Sequence, residues 1–211
     1  MSLPVDPSRY LAYLGVMTAM AFFPGPANLF AAAVGMARGR RAALAGVVGM
    51  NLATLVWYAG SALGLGALVA AAPAAFRLLR LAGAAYLVWM AYRAVAEPQG
   101  GHRPVGRLPA AGRSALVEGF LVQIANPKML LFFTAVLPAF LDLSRPITPQ
   151  LVLFAPATIA MDALAMSAFG LGGAVFAGRM EEARFRRMFA LATATLLIVA
   201  AGLVAVSAFQ P

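Results

Sequence analysis

The sequence of 211 residues contains no cysteine and a single histidine, His102. Without cysteine the chain can form neither a disulfide nor a thiolate metal site, which excludes membrane thiol–disulfide exchange. His102 lies in a stretch rich in glycine, proline and arginine, where we expect a loop residue and not a metal ligand. The sequence therefore predicts no metal site, no catalytic residue and no cofactor.

Charged residues are also scarce, at 11% of the chain, whereas about a quarter of the residues are charged in typical soluble domains. Apolar residues make up 63%, and the mean hydropathy is +0.86. This composition is typical of a polytopic membrane protein. The formal charge of +9 comes from short basic clusters between apolar runs, so we expect a lipid bilayer as partner and no nucleic acid.

Six apolar segments come close to the length of about 20 residues that a membrane-spanning helix needs. Asp6 and Arg9 precede the first segment, so we expect it to be a span and not a cleaved signal peptide. The third is the weakest, because only 12 uncharged residues separate Arg80 from Arg93. The predicted spans are residues 10–36, 42–71, 76–96, 114–141, 151–177 and 187–209.

The distribution of arginine predicts the orientation of these spans. Eleven arginines fall after spans one, three and five, and four fall on the other side of the membrane. By the positive-inside rule the first group is cytoplasmic, so we expect both termini on the outer side of the membrane. The longest connection includes residues 98–113, which are rich in glycine, proline and arginine and predict a flexible cytoplasmic linker.

The linker separates two groups of three spans, residues 1–97 and 114–211. An odd number of spans in each half inserts the second half upside down relative to the first. The motif Ser-Ala-Leu-Gly-Leu-Gly at 61–66 returns as Ser-Ala-Phe-Gly-Leu-Gly at 167–172, an offset of 106 residues. We therefore predict one all-α transmembrane domain of six helices, built as two inverted three-helix repeats. A homodimer is compatible with this fold.

Helix-breaking residues interrupt the first and fourth spans. The first span contains Pro24, Gly25 and Pro26, and the fourth contains Asn126 and Pro127. Backbone groups freed inside a membrane are tolerated only where protein or a water-filled cavity satisfies them, so paired breaks indicate a binding site. Pro26 and Pro127 can each begin a new helix, whose free amides would attract a carboxylate.

Two ionisable residues lie in the same apolar regions. Lys128 is the only lysine of the chain, and Asp162 is the only carboxylate well inside an apolar run. Asp162 could pair with Lys128, hold a substrate ammonium group or take up a coupling proton, and the sequence leaves these roles open. The predicted substrate-binding residues are Pro24, Gly25, Pro26, Asn28, Asn51, Asn126, Pro127, Lys128 and Asp162.

At these motifs the sequence resembles the LysE/RhtB family of amino-acid exporters. The similarity covers nearly the whole chain. It rests on the Pro-Gly-Pro motif, on Asn126-Pro127-Lys128, and on further motifs: glycines 35, 39, 46 and 49, Gly-Ala-Ala-Tyr-Leu at 83–87, Phe-Phe at 132–133 and Leu-Pro-x-Phe at 137–140. The resemblance implies a translocator with six helices that exports amino acids or close derivatives, powered by the proton gradient.

The sequence thus favours a secondary active exporter, with Asp162 as the candidate for proton coupling. An exporter of another small ion or metabolite is the alternative, although one aspartate and one lysine are a poor ligand set for transition metals. A membrane-embedded enzyme lacks a catalytic pair in these spans. A structural or assembly subunit would not need two buried charges beside two helix breaks.

Overall fold

The computed structural model describes residues 4–23, 25–96, 114–142 and 144–207, and these ranges contain helices but no β-strand. Pro24 and the predicted linker at 98–113 lie outside the described residues. The helices are α1 (Pro7–Phe22), α2 (Pro26–Ala71), α3 (Pro73–Ala96), α4 (Ala115–Ile124), α5 (Pro127–Leu131), α6 (Ile147–Glu181) and α7 (Ala183–Ser207). A π-helix, Phe132–Val136, and a 3-10 helix, Leu137–Phe140, continue α5.

The first predicted break separates α1 from α2. Asp6 caps α1 by accepting a hydrogen bond of 2.8 Å from the Ser8 amide, and Pro7 occupies the first turn. The hydrogen bonds from Ser8 hold the pKa of the Asp6 carboxyl below its ordinary value. The helix ends at Phe22 because Phe23 is extended, and α2 begins at Pro26 as the sequence predicted.

Helix α2 is a hairpin of two limbs, residues 26–38 and 40–71, joined at Gly39. Gly39 has φ 82° and ψ 173°, a conformation that is essentially restricted to glycine. The Phe30 ring lies 3.1 Å from where a Cβ atom on Gly46 would stand. In a straight helix these two residues would be about 24 Å apart, so the chain reverses direction at Gly39.

Helix α6 gives the direction of both limbs. Tyr13 of α1 contacts Thr158, and Ala31 of the first limb approaches Gly170, so α1 and the first limb run alongside α6 in its direction. The second limb runs the opposite way, because Ala43 also approaches Gly170 while Tyr58 bonds back to Thr158.

The segment from α4 to Phe140 runs antiparallel to the segment from α1 to Arg38. Near its start, Glu118 forms an ion pair of 2.5 Å with Arg38. Past its end, the Leu141 carbonyl accepts a hydrogen bond of 3.3 Å from Arg9. The two interrupted segments therefore cross the protein side by side in opposite directions, with their breaks near the middle of each.

Glycines permit the closest helix contacts. A Cβ atom added to Gly35 would lie 1.9 Å from the carbonyl oxygen of Gly170. One added to Gly49 would lie 1.9 Å from the carbonyl oxygen of Leu116, and one added to Gly119 would lie 2.2 Å from that of Gly46. The first limb of α2 thus packs backbone to backbone on α6, and the second limb packs in the same way on α4. A buried aromatic core lies beyond these contacts: Tyr13, Tyr58, Phe132, Phe133, Phe140 and Phe154.

Three stretches of the described residues are long and apolar enough to cross a membrane: Pro26–Gly64, Ile147–Gly173 and Ala183–Val206. The first includes the turn at Gly39. Ala115–Ile124 and Pro127–Phe140 together make a fourth candidate, bent by 46°, and Leu81–Ala96 is a shorter apolar helix. The all-α polytopic membrane fold is thereby confirmed, whereas the count of six spans and the inverted repeat stay predictions.

Candidate functional site

The break between α1 and α2 frees carbonyl groups at the end of α1, and Asn28 bonds two of them. Its side-chain amide donates to the Ala21 carbonyl at 2.8 Å and to the Phe23 carbonyl at 3.1 Å. Asn28 is buried, at 1% exposure. This side chain, one of the predicted binding-site residues, stabilises the first break from the first turn of α2.

The break between α4 and α5 is held by Asn126. Its side-chain oxygen accepts the Lys128 amide at 3.0 Å, so Asn126 caps α5 and Pro127 takes the first helical position, as the sequence predicted. Its amide nitrogen donates to Gln123 at 3.2 Å, and Gln123 in turn donates to the Thr54 hydroxyl at 3.2 Å. This buried chain of hydrogen bonds fastens the second break to the second limb of α2.

Lys128 brings the two breaks together. Its Nζ atom donates a hydrogen bond of 2.9 Å to the Met20 carbonyl, in the last turns of α1. A Cβ atom on Gly25 would lie 4.0 Å from the same Nζ. The ammonium group therefore stands against the carbonyl end of a helix, where a positive charge is favoured, and its side chain is only 7% exposed.

Asp162 faces the same space from α6. It is 4% exposed, and its Oδ2 atom accepts no hydrogen bond from the described residues. Asp162 and Lys128 line one small cavity of about 10 Å³ together with Met17, Met20, Ala21, Met129 and Phe132. A volume of about 10–15 Å³ is what a single water molecule requires.

Asn51 does not line this cavity. Its side-chain amide donates to the Val47 carbonyl of its own helix at 3.0 Å, and its buried Oδ1 atom has no partner among the described residues. Of the predicted site residues, the structure thus brings Lys128 and Asp162 to the cavity, and Gly25 lies beside the Lys128 side chain. Asn28 and Asn126 form hydrogen bonds with the backbone at the first and second break, respectively.

A cluster of three hydroxyl groups, Tyr13, Tyr58 and Thr158, was missed by the sequence reasoning. Tyr13 and Tyr58 are hydrogen-bonded at 2.9 Å, Tyr58 and Thr158 at 2.6 Å, and Tyr13 also bonds Thr158. The three residues come from α1, α2 and α6 and are at most 5% exposed. Periodicity could not reveal the cluster, because its members are 45 and 100 residues apart in the chain.

Polar contacts close both ends of the interrupted segments. At one end, Arg38 pairs with Glu118, which is 6% exposed. At the other, Gln150 donates to the Asp142 carbonyl at 2.7 Å and accepts the Asp142 amide at 2.8 Å, which fixes the loop before α6. Hydrogen bonds from Ser144, and the nearby charges of two arginines, hold the pKa of the Asp142 carboxyl below its ordinary value.

Among the described residues, no group of three or more His, Cys, Asp or Glu side chains could hold a metal ion. The polar groups at the cavity are instead one ammonium, one carboxylate and helix ends. Such a set can bind a small molecule that carries both charges, but it offers no nucleophile–base pair for catalysis.

Comparisons with known proteins place the chain among membrane transporters. The family model described as LysE type translocator matches residues 18–208. An uncharacterized membrane protein of Vibrio cholerae is 28% identical over 77% of this chain and 79% of its own. The threonine efflux protein of Escherichia coli is 31% identical over 56% of this chain and 59% of its own.

The homoserine/homoserine lactone efflux protein of Salmonella typhimurium is 26% identical over 76% of this chain and 78% of its own. No solved structure matches the chain.

Proposed function

This chain belongs to the LysE type translocator family, whose model matches residues 18–208, and from that premise we propose that it exports amino acids or close derivatives. The resemblance seen in the sequence motifs is thereby confirmed. A translocator family consists of transport proteins, so the chain is a transporter and not an enzyme. Relatives named as threonine and as homoserine/homoserine lactone efflux proteins support the class of substrate.

The observation that carries the proposal is a pair of opposite charges at one cavity. Lys128 and Asp162 are both buried, yet Lys128 bonds a backbone carbonyl and the Asp162 Oδ2 atom is unpartnered among the described residues. Ionisable groups within membrane-spanning segments usually mark substrate or ion pathways. An amino acid is a zwitterion, and it complements one buried cation beside one buried anion.

In this proposal the substrate ammonium group binds Asp162. The carboxylate binds Lys128 and the first amides of α2, where the helix end carries about half a positive charge. Lys128 would leave the Met20 carbonyl to meet the substrate, so binding replaces one polar contact with another. Lys128 and Asp162 contact the substrate in this proposal, and Gly25, Pro26, Asn28, Asn126 and Pro127 shape the two breaks beside it.

The cavity, at about 10 Å³, is too small for an amino acid, so loading requires α1 and α5 to move apart. We propose six spans in two inverted halves that rock against each other, with both termini in the periplasm of a bacterial inner membrane. A proton moving inward through Asp162 would drive export. A substrate with a net positive charge costs about 2.3 kcal/mol per charge per 100 mV to carry outward against the membrane potential, which that proton would offset.

Export assays in cells with and without the protein test this function. Loading the cells with a panel of amino acids that includes threonine and homoserine should show lower internal and higher external levels when the protein is present. Equal levels across the whole panel would contradict amino-acid export.

Charge-removing variants test the site in the same assay. Asp162→Asn and Lys128→Ala should each lower export at least ~10-fold, because a charged hydrogen bond is worth about 1.5–3 kcal/mol. Asp6→Asn and Arg179→Ala are matched controls at exposed positions and should leave export unchanged. Membrane levels of every variant must be equal by immunoblot, and wild-type export by the first two would refute the assignment.

A further inference from the structure

The cluster of Tyr13, Tyr58 and Thr158 adjoins the cavity of Asp162 on two helices at once. On α6, Thr158 precedes Asp162 by four residues, so both side chains lie on one face with Cβ atoms about 5–6 Å apart. On α1, Tyr13 precedes Met17 by the same spacing, and Met17 lines the cavity. The hydroxyl cluster is therefore the next polar layer above Asp162, toward the ends where α1 and α6 begin.

These hydroxyls carry no charge, and each can both donate and accept a hydrogen bond. Thr158 has three acceptors within reach of its proton, since its Oγ1 atom lies 3.1 Å from the Phe154 carbonyl and beside both tyrosine hydroxyls. The ring of hydrogen bonds can consequently reverse its direction without moving a helix. The competing explanation is structural: the three hydroxyls would only hold the helices together through interhelical hydrogen bonds.

We propose that the cluster of Tyr13, Tyr58 and Thr158 passes the coupling proton to Asp162. This inference rests on the proposed export function. Each hydroxyl accepts a proton on its oxygen and gives its own proton to the next hydroxyl. The last hydroxyl gives its proton to the Asp162 carboxylate, which becomes a neutral acid. The last step crosses the one turn of α6 between Thr158 and Asp162, and the cavity beside Asp162 has the volume of about one water molecule, which would complete the path to the carboxylate.

The surroundings limit where that proton can go. Within the described ranges, the titratable or charged groups that interact electrostatically with Asp162 are Lys128 on α5 and the two tyrosines on α1 and α2. Beyond the cluster, the Tyr13 ring packs 4.3 Å from Phe154 and 5.6 Å from Phe140, between ring centroids. This aromatic layer seals the cluster in the closed form, so protons enter only when α1 separates from it, and leakage is prevented.

Purified full-length protein in phospholipid vesicles separates proton transfer from substrate binding. One assay measures uptake of labelled amino acid driven by a pH gradient. The other measures exchange of labelled for unlabelled amino acid at equal pH on both sides, which needs no net proton movement. Thr158→Val removes the hydroxyl and keeps the shape, Thr158→Ser keeps the hydroxyl, and Tyr58→Phe removes a second hydroxyl of the cluster.

Thr158→Val and Tyr58→Phe should lower gradient-driven uptake at least ~10-fold, as expected when a positioned proton-transfer group is lost. Exchange should stay within about twofold of wild type, and Thr158→Ser should restore the driven uptake. Thr18→Val is the matched control, because the Thr18 hydroxyl bonds the Leu14 carbonyl on the exposed side of α1. Tyr92→Phe, at an exposed position, controls for loss of a phenol.

Three outcomes would overturn the relay. Equal losses in uptake and exchange would show a structural role, unchanged uptake in both variants would show no role, and wild-type exchange without any response to a pH gradient would exclude proton coupling. If wild-type protein neither takes up nor exchanges any amino acid of the panel, the proposed function itself fails, which is a distinct result.

Discussion

Two side chains satisfy the backbone at the break between α1 and α2, inside the first predicted span. An unpaired carbonyl there has no water to bond, so each one costs free energy unless a donor reaches it. Asn28 supplies two donors from the following helix, and Lys128 supplies one from the other half of the chain. The side chains of Asn28 and Lys128 thus satisfy backbone carbonyls that the first break leaves without helical partners.

Removing the Asn28 side chain should destabilise the protein. Asn28→Ala removes the donor from one buried and one partly buried carbonyl, and a buried group left unpaired costs about 1–3 kcal/mol. The midpoint of thermal unfolding in detergent should fall by several degrees. Asn51→Ala is the control, because the Asn51 amide donates to a carbonyl of its own helix, and its unfolding midpoint should fall less. Equal midpoints for the two variants would contradict the role of Asn28.

Local chemistry explains which residue roles could be predicted. Asparagine is favoured at the helix N-cap and proline in the first turn, so Asn126 and Pro127 predict the start of α5, and the structure confirms both positions. The acceptor of Lys128 could not be predicted, because the Met20 carbonyl is a backbone group 108 residues away. The partners of Tyr13 likewise depend on how three helices pack.

At the scale of the helices, glycine determines which pairs approach most closely. Gly49 and Gly119 let the second limb of α2 meet α4 with their backbones in contact, and Gly35 does the same toward α6. By contrast, a Cβ atom on Gly60 or Gly172 would meet nothing within 4 Å. The sequence pattern alone does not distinguish these two groups of glycine.

Two alanine substitutions in α2 should therefore shift stability in opposite directions. At Gly49 the new Cβ atom would stand 1.9 Å from the Leu116 carbonyl oxygen, so Gly49→Ala should cost about 1–3 kcal/mol or more by overpacking. Gly60→Ala meets open space and should gain up to about 1 kcal/mol of helix propensity. Thermal unfolding in detergent measures both, and a stabilised Gly49→Ala protein would refute the close contact.

Helix boundaries were predictable where a residue forces them. Helix α1 ends just before the Pro-Gly-Pro motif inside the first predicted span, and the turn at Gly39 falls between the predicted spans 10–36 and 42–71. The π-helix at Phe132–Val136 has no such marker. It follows the second break and places consecutive phenylalanines, Phe132 and Phe133, in the buried aromatic core, which is a result of packing.

At the scale of the whole molecule, two interrupted segments run in opposite directions and touch at their breaks. Contacts of Arg9 with Leu141 and of Arg38 with Glu118 fix that arrangement, whereas the inversion of the whole second half stays a prediction. The hydropathy pattern predicted the inversion through the odd number of spans. Which side of the membrane each end faces depends on the arginine distribution alone.

Single cysteines test that orientation cleanly, since the natural chain has none. Ser8→Cys should react with a membrane-impermeant thiol reagent added to intact cells, because the positive-inside rule places this end outside. Arg40→Cys, beside the turn at Gly39, should react only after the cells are permeabilised. The unmodified protein gives the background, and the opposite labelling pattern would reverse the orientation.

The bond from Lys128 to the Met20 carbonyl also has a consequence for biosynthesis. The lysine follows its acceptor by 108 residues. At about 5–20 residues per second, the ribosome adds it roughly 5 to 20 s after the first span has formed. During that interval the Met20 carbonyl has only a long local hydrogen bond of 3.3 Å from the Phe23 amide. The polar contacts of the first break are therefore complete only after the second half of the chain has been inserted.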